Sequence, residues 1–305
     1  MQKIYFGAPG TGKSYKIEEM IKSKGISSSH TFRTTFFPDY TYNDFVGQLL
    51  PKVDGNNITY EFCKGVFTQA IEKAYEDLSK EVFLILEEMS RGNCSAIFGD
   101  VFQLLDREKE GPSCGFSKYF INNDIISKDI IAITNSHVKL PPNLNIIGTV
   151  NTSDQNVYVM DTAFKRRFEW EYVGTEPVGT PYKNNVELTF YRNGNAESIN
   201  WVDLYGVLNI FISSKKWLGL GEDKQVGQFF IEFESDPTKT QEQISNKLLH
   251  FLWFDVCQSS FNYSVSLFDD SIDSFSRLYK KFNNNEQIFS NTFFDCYDKW
   301  CSGIL

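Results

Sequence analysis

The sequence predicts an α/β fold, a parallel sheet with helices on both faces, followed by a smaller helical domain. Three observations predict it. A glycine-rich loop, GAPGTGKS (Gly7 to Ser14), stands between a strand-like and a helix-like segment. A second run, VFLIL (Val82 to Leu86), is apolar throughout, as a strand buried on both faces must be. Beyond about Val173 the alternation of strands and helices gives way to helical periodicity alone.

Each element follows from its own pattern. KIYF (Lys3 to Phe6) reads as a short strand entering the loop, and KSYKIEEMIKSKG from Lys13 reads as a helix stopped at Gly25. HTFRTTFF (His30 to Phe37) alternates and predicts a second strand. PKVDGNNITYEFCKG puts a turn at Asp54-Gly55 between two β-prone pieces, hence a hairpin. Val66, Phe67, Ala70, Ile71, Ala74 and Leu78 recur as one apolar helix face. NCSAIFGDVFQLLDRE predicts a helix capped by Asn93. Phe116 to Leu140 predicts a β-rich insertion, PPNLNIIGTVN another buried strand, and DTAFKRRFEWEYV a helix passing into a closing strand.

GTEPVGTPYKNNVE, rich in Gly and Pro, reads as a linker. Helices are then expected in NWVDLYGVLNIFISSKK, QEQISNKLLHFLWFDVCQSS and DSIDSFSRLYKKF, with NNNEQ (Asn283 to Gln287) as a loop. The expected domains are 1–173 for the α/β part and 174–305 for the helical part.

Bulk properties narrow the function classes. The 305 residues have room for one large core or two moderate ones, and 41% hydrophobic with 23% charged residues suits a soluble globular chain. The 28 Phe and 15 Tyr point to core filling first and recognition second. No apolar run is long enough to span a bilayer, and MQKIYFGAPG lacks the apolar region of a secretory signal. A phosphate loop also needs cytosolic nucleotide, so a cytoplasmic location is expected. The six cysteines are scattered with no C-x-x-C pair, which predicts reduced, mostly buried thiols without zinc or a disulfide framework. A net charge of −9 with dispersed basic residues argues against direct DNA binding by the chain alone. A basic channel formed by several copies would escape that test.

The loop carries the strongest chemical signal. Gly7, Ala8, Pro9, Gly10, Thr11, Gly12, Lys13 and Ser14 satisfy G-x-x-x-x-G-K-[ST]. Glycines let successive backbone N–H groups turn toward phosphates, and the helix N-terminus adds positive charge there. Lys13 is expected on the outer phosphates of ATP or GTP, and the Ser14 hydroxyl on Mg²⁺. A chance glycine-rich turn is the bland reading, countered by the strand before and the helix after.

Glu87 and Glu88 end the apolar strand, where ligands bind in open α/β sheets. Adjacent acids are more often solvated charge, but the tip of a buried strand calls for a cation nearby. Glu87 is expected to hold hydrated Mg²⁺ and Glu88 to polarise the attacking water. Asn151 ends the next buried strand, placed for the outer phosphate or that water, with a plain turn cap as its alternative. FKRRF (Phe164 to Phe168) sets three cations at a helix end. They either complement the helix dipole or supply an arginine finger to a neighbouring subunit.

With these elements in order, the chain resembles the AAA+ ATPases and, among them, the McrB family of restriction-system motor subunits. LILEEMSRGNCSAIFGDVFQLLDR is similar to that family's acidic motif, and NLNIIGTVNTSDQNVYVMDTAFKRRFEW to its sensor-1 strand and arginine helix. FFPDYTYNDFVGQLLP resembles a stretch typical of the family, and LGEDKQVGQFF more faintly a segment of its helical lid. The match is specific from Lys3 to about Val173.

The resemblance implies an AAA+ αβα sandwich with a helical lid, and a ring, hexameric in the family, with nucleotide between neighbours. It implies hydrolysis of GTP or ATP, a McrC-type nuclease partner, and DNA engaged only indirectly or through the ring. Carried over, Gly10, Gly12, Lys13 and Ser14 bind nucleotide and Mg²⁺, and Glu87 and Glu88 form the Walker B pair. Asn151 is sensor 1 with Asp154 beside it, Arg166 and Arg167 act in trans, and Arg91 and Asn93 match the R-G-N positions. Glu87 stands where the family has Asp, which lengthens the reach to the metal by one methylene and predicts slower turnover. Gln228 stands where relatives often place His, so no sensor-2 residue is assigned. Six residues precede Gly7, fewer than the family's lead-in, so base preference is not read and DNA selection is expected from another chain.

Other classes compete. A MoxR-type chaperone would act on protein partners, and the R-G-N trailer and TYNDFVG favour the restriction motor over it. A monomeric P-loop kinase would not need trans arginines, and a non-hydrolysing scaffold is kept open by Glu87.

Overall fold

β1 (Gln2–Gly7), the strand leading into the glycine loop, buries Ile4 and Tyr5. The computed structural model describes residues 1–55, 57–130, 133, 135–152, 158–259 and 265–304. In chain order there follow α1 (Lys13–Ser23), β2 (Thr31–Thr35), α2 (Tyr42–Phe45), β3 (Gly47–Asp54), β4 (Asn57–Lys64), α3 (Val66–Glu76) and β5 (Val82–Glu87). Next come α4 (Cys94–Phe98), β6 (Ile121–Asn122), α5 (Asp124–Asp129), β7 (His137–Val138), β8 (Leu144–Asn151), α6 (Thr162–Lys165) and β9 (Glu169–Tyr172). The chain divides into two units, Met1–Phe6 with Lys13–Tyr172, and Gly7–Gly12 with Val173–Leu305.

The first unit is built on a five-stranded sheet in the order β2-β5-β8-β1-β9. The β1/β9, β2/β5 and β5/β8 pairs run parallel, as the strand–helix alternation predicts. All six residues of β5 are buried, which explains its unbroken apolar run. Phe67, Ala70, Ile71 and Ala74 of α3 face the same core. Leu78, expected on that helix face, lies beyond the cap at Asp77 and is 47% exposed.

Local signals end the helices where hydrogen bonds need them. Past α1, the Ile26 N–H bonds the Ile21 carbonyl at 3.2 Å and the Gly25 N–H bonds that of Lys22 at 3.0 Å. These two bonds satisfy carbonyls the helix leaves open. Thr41 and Asp44 form a reciprocal capping box on α2. β3 and β4 pair from Gly47↔Lys64 to Asp54↔Asn57 around the expected turn.

Two expectations in this unit are corrected. Asn93 caps α4 as expected, accepting from the Ala96 N–H at 3.2 Å, but the helix stops at Phe98. Gly99 takes φ +50, and a Cβ there would meet the Tyr42 ring at 2.8 Å, so the chain continues as a 3-10 turn to Leu105. Ile97, Phe98, Val101, Leu104 and Leu105 stay buried through the break, so apolar spacing could not reveal it. The stretch Phe116 to Leu140 is not β-rich in its described residues: it holds the two-residue pair β6–β7, with α5 between, and one isolated bridge from Ser117 to Arg107. Ile121, Ile126 and Ile130 anchor a two-residue strand, a short helix and its end to the core, so their β-branched composition does not amount to a β-rich stretch.

The second unit contains β10 (Glu187–Arg192), β11 (Asn195–Asn200), α7 (Trp201–Ser213), α8 (Pro237–Gln243), α9 (Leu249–Phe251), α10 (Phe275–Asn283) and α11 (Asn291–Cys301). Its predicted helical character holds, with π-helical turns at Ile244–Leu248 and Leu252–Val256 flanking α9. The β10–β11 hairpin and α11 were not foreseen. The hairpin turns at Asn193 and Gly194, both with positive φ, a geometry matched to twisted strands. α7 is buried nearly all round, from Trp201 to Ile212, and its Phe211 packs edge-on against Phe293, which in turn stacks on Phe289.

The six cysteines are free. Cys94 and Cys296 are buried, whereas Cys63, Cys114 and Cys301 are exposed, so the expectation of mostly buried thiols is corrected. Among the described residues no helix is long and apolar enough to cross a membrane.

Candidate active site

In the first unit, β5 and β8 pair from Val82↔Leu144 to Leu86↔Gly148, which brings Glu87 to the level of Thr149. Side chains alternate along a strand, so Thr149 and Asn151 share one side of β8. Glu87 is 9% exposed. Its Oε2 accepts from the Ser14 hydroxyl at 3.1 Å and from the Thr149 hydroxyl at 2.5 Å. Its Oε1 makes no hydrogen bond and faces the Arg33 guanidinium at 3.2 Å, and Arg33 also reaches Glu18 at 3.3 Å.

Glu88 leaves the strand abruptly. Its φ of +55 is left-handed, a conformation that costs a non-glycine residue about 1–3 kcal/mol and clusters at functional sites. The Glu88 N–H donates to the Thr149 hydroxyl at 3.1 Å. The Asn151 amide sits 2.7 Å from both Glu88 carboxylate oxygens, and Arg91 Nε is 3.5 Å from Oε2. Lys13, the first residue of α1, is buried to 7% exposure and directly precedes Ser14.

Within the second unit the glycine loop is tied down by main-chain bonds. The Pro9 and Gly10 carbonyls accept from the Gly227 and Phe229 N–H groups at 2.9 and 2.7 Å, and Thr11 donates to the Ala8 carbonyl at 3.1 Å. Gly10 has φ +74, and a Cβ there would fall 2.3 Å from the Phe230 nitrogen, so no larger residue fits.

The donor set suits a hard divalent cation. Ser14 and Glu87 offer oxygens only, and buried Glu87 Oε1 has lone pairs that no hydrogen bond uses. Mg²⁺ asks for no more than one or two protein oxygens when phosphates complete its shell.

A family model described as AAA domain (dynein-related subfamily) matches residues 4–168. The chain belongs to this AAA family. Two curated relatives are similar to it. The Type II restriction enzyme BsuMI component YdiS of Bacillus subtilis (strain 168) is 33% identical, over 94% of this chain and 87% of its own length. The Type IV methyl-directed restriction enzyme EcoKMcrB subunit of Escherichia coli (strain K12) is 27% identical, over 61% of this chain and 38% of its own length. Together they make this AAA protein a P-loop NTPase of McrB type.

The AAA site brings together Ser14, Glu87, Glu88 and Asn151 as the motifs suggested, and adds two residues that sequence reasoning passed over. Thr149 lies two positions before Asn151, and strand alternation was the signal that could have found it. Arg33 lies on β2, the strand paired with β5, and only that pairing brings it to Glu87. The cation called for beside the twin acids is thus partly a protein side chain.

Other positions part ways. Arg166 is exposed. Arg167 is turned into its own unit: it pairs with Asp106 at 2.6 Å, donates to the Ala163 carbonyl at 2.8 Å and lies 4.0 Å over the Phe102 ring. In the single chain its guanidinium is held by these partners from its own unit. Asn93 is a helix cap, and Asp154 lies outside the described residues. Gln228 is buried as a staple in the second unit. Its side chain accepts from the Val178 N–H at 2.7 Å and donates to the Lys183 carbonyl, while its own carbonyl takes the Trp201 indole N–H at 2.8 Å.

Proposed function

We propose that this AAA NTPase hydrolyses ATP or GTP as the motor subunit of a McrBC-like restriction system acting in anti-phage defence. It works as a ring, a hexamer by family resemblance, alongside a McrC-like nuclease and with DNA engaged indirectly or through the ring. Both relatives, one a component and the other a subunit of a restriction enzyme, support this reading. One geometric observation carries the chemistry: Thr149 joins both glutamates, with Ser14 3.1 Å from one and Asn151 2.7 Å from the other.

The roles follow from what each group can do. The main chain from Gly7 to Gly12 and the Lys13 ammonium take the phosphates. Ser14 and Glu87 hold Mg²⁺, which when bound supplies positive charge against the phosphate oxygens. Glu88 accepts a hydrogen bond from the attacking water and takes up its proton, and Asn151 fixes the carboxylate and the water. Arg166 completes a neighbouring copy's site, while residues 174–305 serve as the lid.

Turnover of ATP and GTP, measured alone and with the product of the adjoining reading frame, tests this. Hydrolysis of at least one nucleotide, abolished by Lys13→Ala, and a larger assembly with a non-hydrolysable analogue are expected. A persistent monomer with phosphotransfer activity overturns it.

A further inference from the structure

Among the described residues, β10 pairs with β11 along one edge and with no strand along the other. The free edge borders a cavity of 590 Å³, lined by every residue from Val186 to Tyr191. Successive strand side chains point to opposite faces, so a wall of six consecutive residues is the strand's edge and not one of its faces. Residues around the start of α8, from Glu234 to Ile244, form another part of the lining, with Phe282 at the end of α10.

Free edges are commonly blunted by proline, lysine or a bulge. The sequence ELTFYR of β10 has no proline or lysine, and its register with β11 is unbroken from Glu187↔Asn200 to Arg192↔Asn195. The lining combines two chemistries. Leu188, Phe190 and Ile244 are buried apolar side chains. Glu187, Glu234 and Glu286 are exposed carboxylates, and among the described residues neither lysine nor arginine lines the cavity. Lys239 meets Glu234 at 2.6 Å, whereas Glu187 and Glu286 have the Ser198 hydroxyl and the Asn284 amide as partners, each at 3.3 Å.

We propose that this groove binds an extended basic segment of a partner protein, which adds to β10 as a further strand. Main-chain hydrogen bonds to the edge supply affinity, as in other strand-addition complexes. Apolar side chains on one face of the segment rest on the half-buried Val186 and Phe282, and its Lys or Arg side chains meet Glu187 and Glu286. The proposal is independent of the nucleotide chemistry.

The test uses the full chain and a fluorescein-labelled peptide of alternating lysine and valine, followed by anisotropy. Two control peptides replace lysine by glutamate, or carry N-methyl groups on alternate amides. Binding of the lysine peptide, about tenfold or more tighter than either control, is expected. Glu187→Lys with Glu286→Lys should weaken it at least about tenfold while leaving NTP turnover and melting temperature unchanged. Hydrogen exchange should slow at Leu188 to Tyr191 when the peptide is added. No binding of the lysine peptide, equal binding of the N-methylated peptide, undiminished binding to the double variant, or protection elsewhere overturns the proposal.

Discussion

The Thr149 hydroxyl donates to Glu87 Oε2 over 2.5 Å and, through the same oxygen, accepts the Glu88 N–H at 3.1 Å. One side chain on β8 therefore sets both the carboxylate proposed for the metal and the backbone turn that aims the carboxylate proposed for water. Thr149→Val keeps the volume and removes both bonds. A hydrogen bond to a charged group is worth about 1.5–3 kcal/mol, so kcat should fall about tenfold or more. Thr149→Ser should restore it, with nucleotide Kd little changed in both variants. Steady-state turnover with equilibrium nucleotide binding measures the split, and an equal loss in the serine variant counts against the hydroxyl.

Glu88→Gln tests water activation. The amide keeps the size and the contact with Asn151 but cannot draw a proton from water. Positioned acid–base groups contribute about 10²–10⁴ in rate, and a loss of that order is expected with binding retained. Gel filtration in the presence of nucleotide should show the assembly trapped. Unchanged hydrolysis would remove Glu88 from the mechanism.

The two neighbouring arginines should separate cleanly. Arg167→Ala loses the Asp106 ion pair, the Ala163 carbonyl bond and the contact over Phe102, and should destabilise the first unit by about 2–3 kcal/mol. Arg166→Ala, at an exposed position, should leave stability within about 0.5 kcal/mol and lower turnover in the assembly. Thermal melting and turnover, read on both variants, give the comparison. Equal melting temperatures would contradict the structural role of Arg167.

Thiol labelling probes the packing of both units. Burial pushes the Cys94 thiol up to about 12 and raises that of Cys296. Alkylation needs the thiolate, and at pH 9 a thiol with a pKa near 12 is ionised to about one part in a thousand. Iodoacetamide should therefore modify Cys63, Cys114 and Cys301 while sparing Cys94 and Cys296 from pH 7 to 9, as peptide mass spectrometry can follow. Denaturant should abolish the protection of both.

The glycine loop, the twin glutamates and Asn151 were legible in the chain because their constraints are local. A backbone that turns around phosphates needs glycines at set intervals, and a strand buried on both faces needs an unbroken apolar run that ends where polar work begins. The parallel sheet was legible for the same reason. The stretch Phe116 to Leu140 misled because a buried isoleucine anchors a short helix such as α5 as readily as it fills a strand, and α4 misled because burial continues past Gly99.

Tertiary structure alone decided the rest. Thr149 meets Glu87, and Arg33 meets it too, only because β8 and β2 flank β5, an order that no local pattern encodes. Arg166 and Arg167 have the same chemistry and adjacent numbers, yet one is exposed and the other lies over Phe102. A single step along helical backbone turns a side chain by about 100°, so which arginine faces outward depends on how the end of α6 sits against its core.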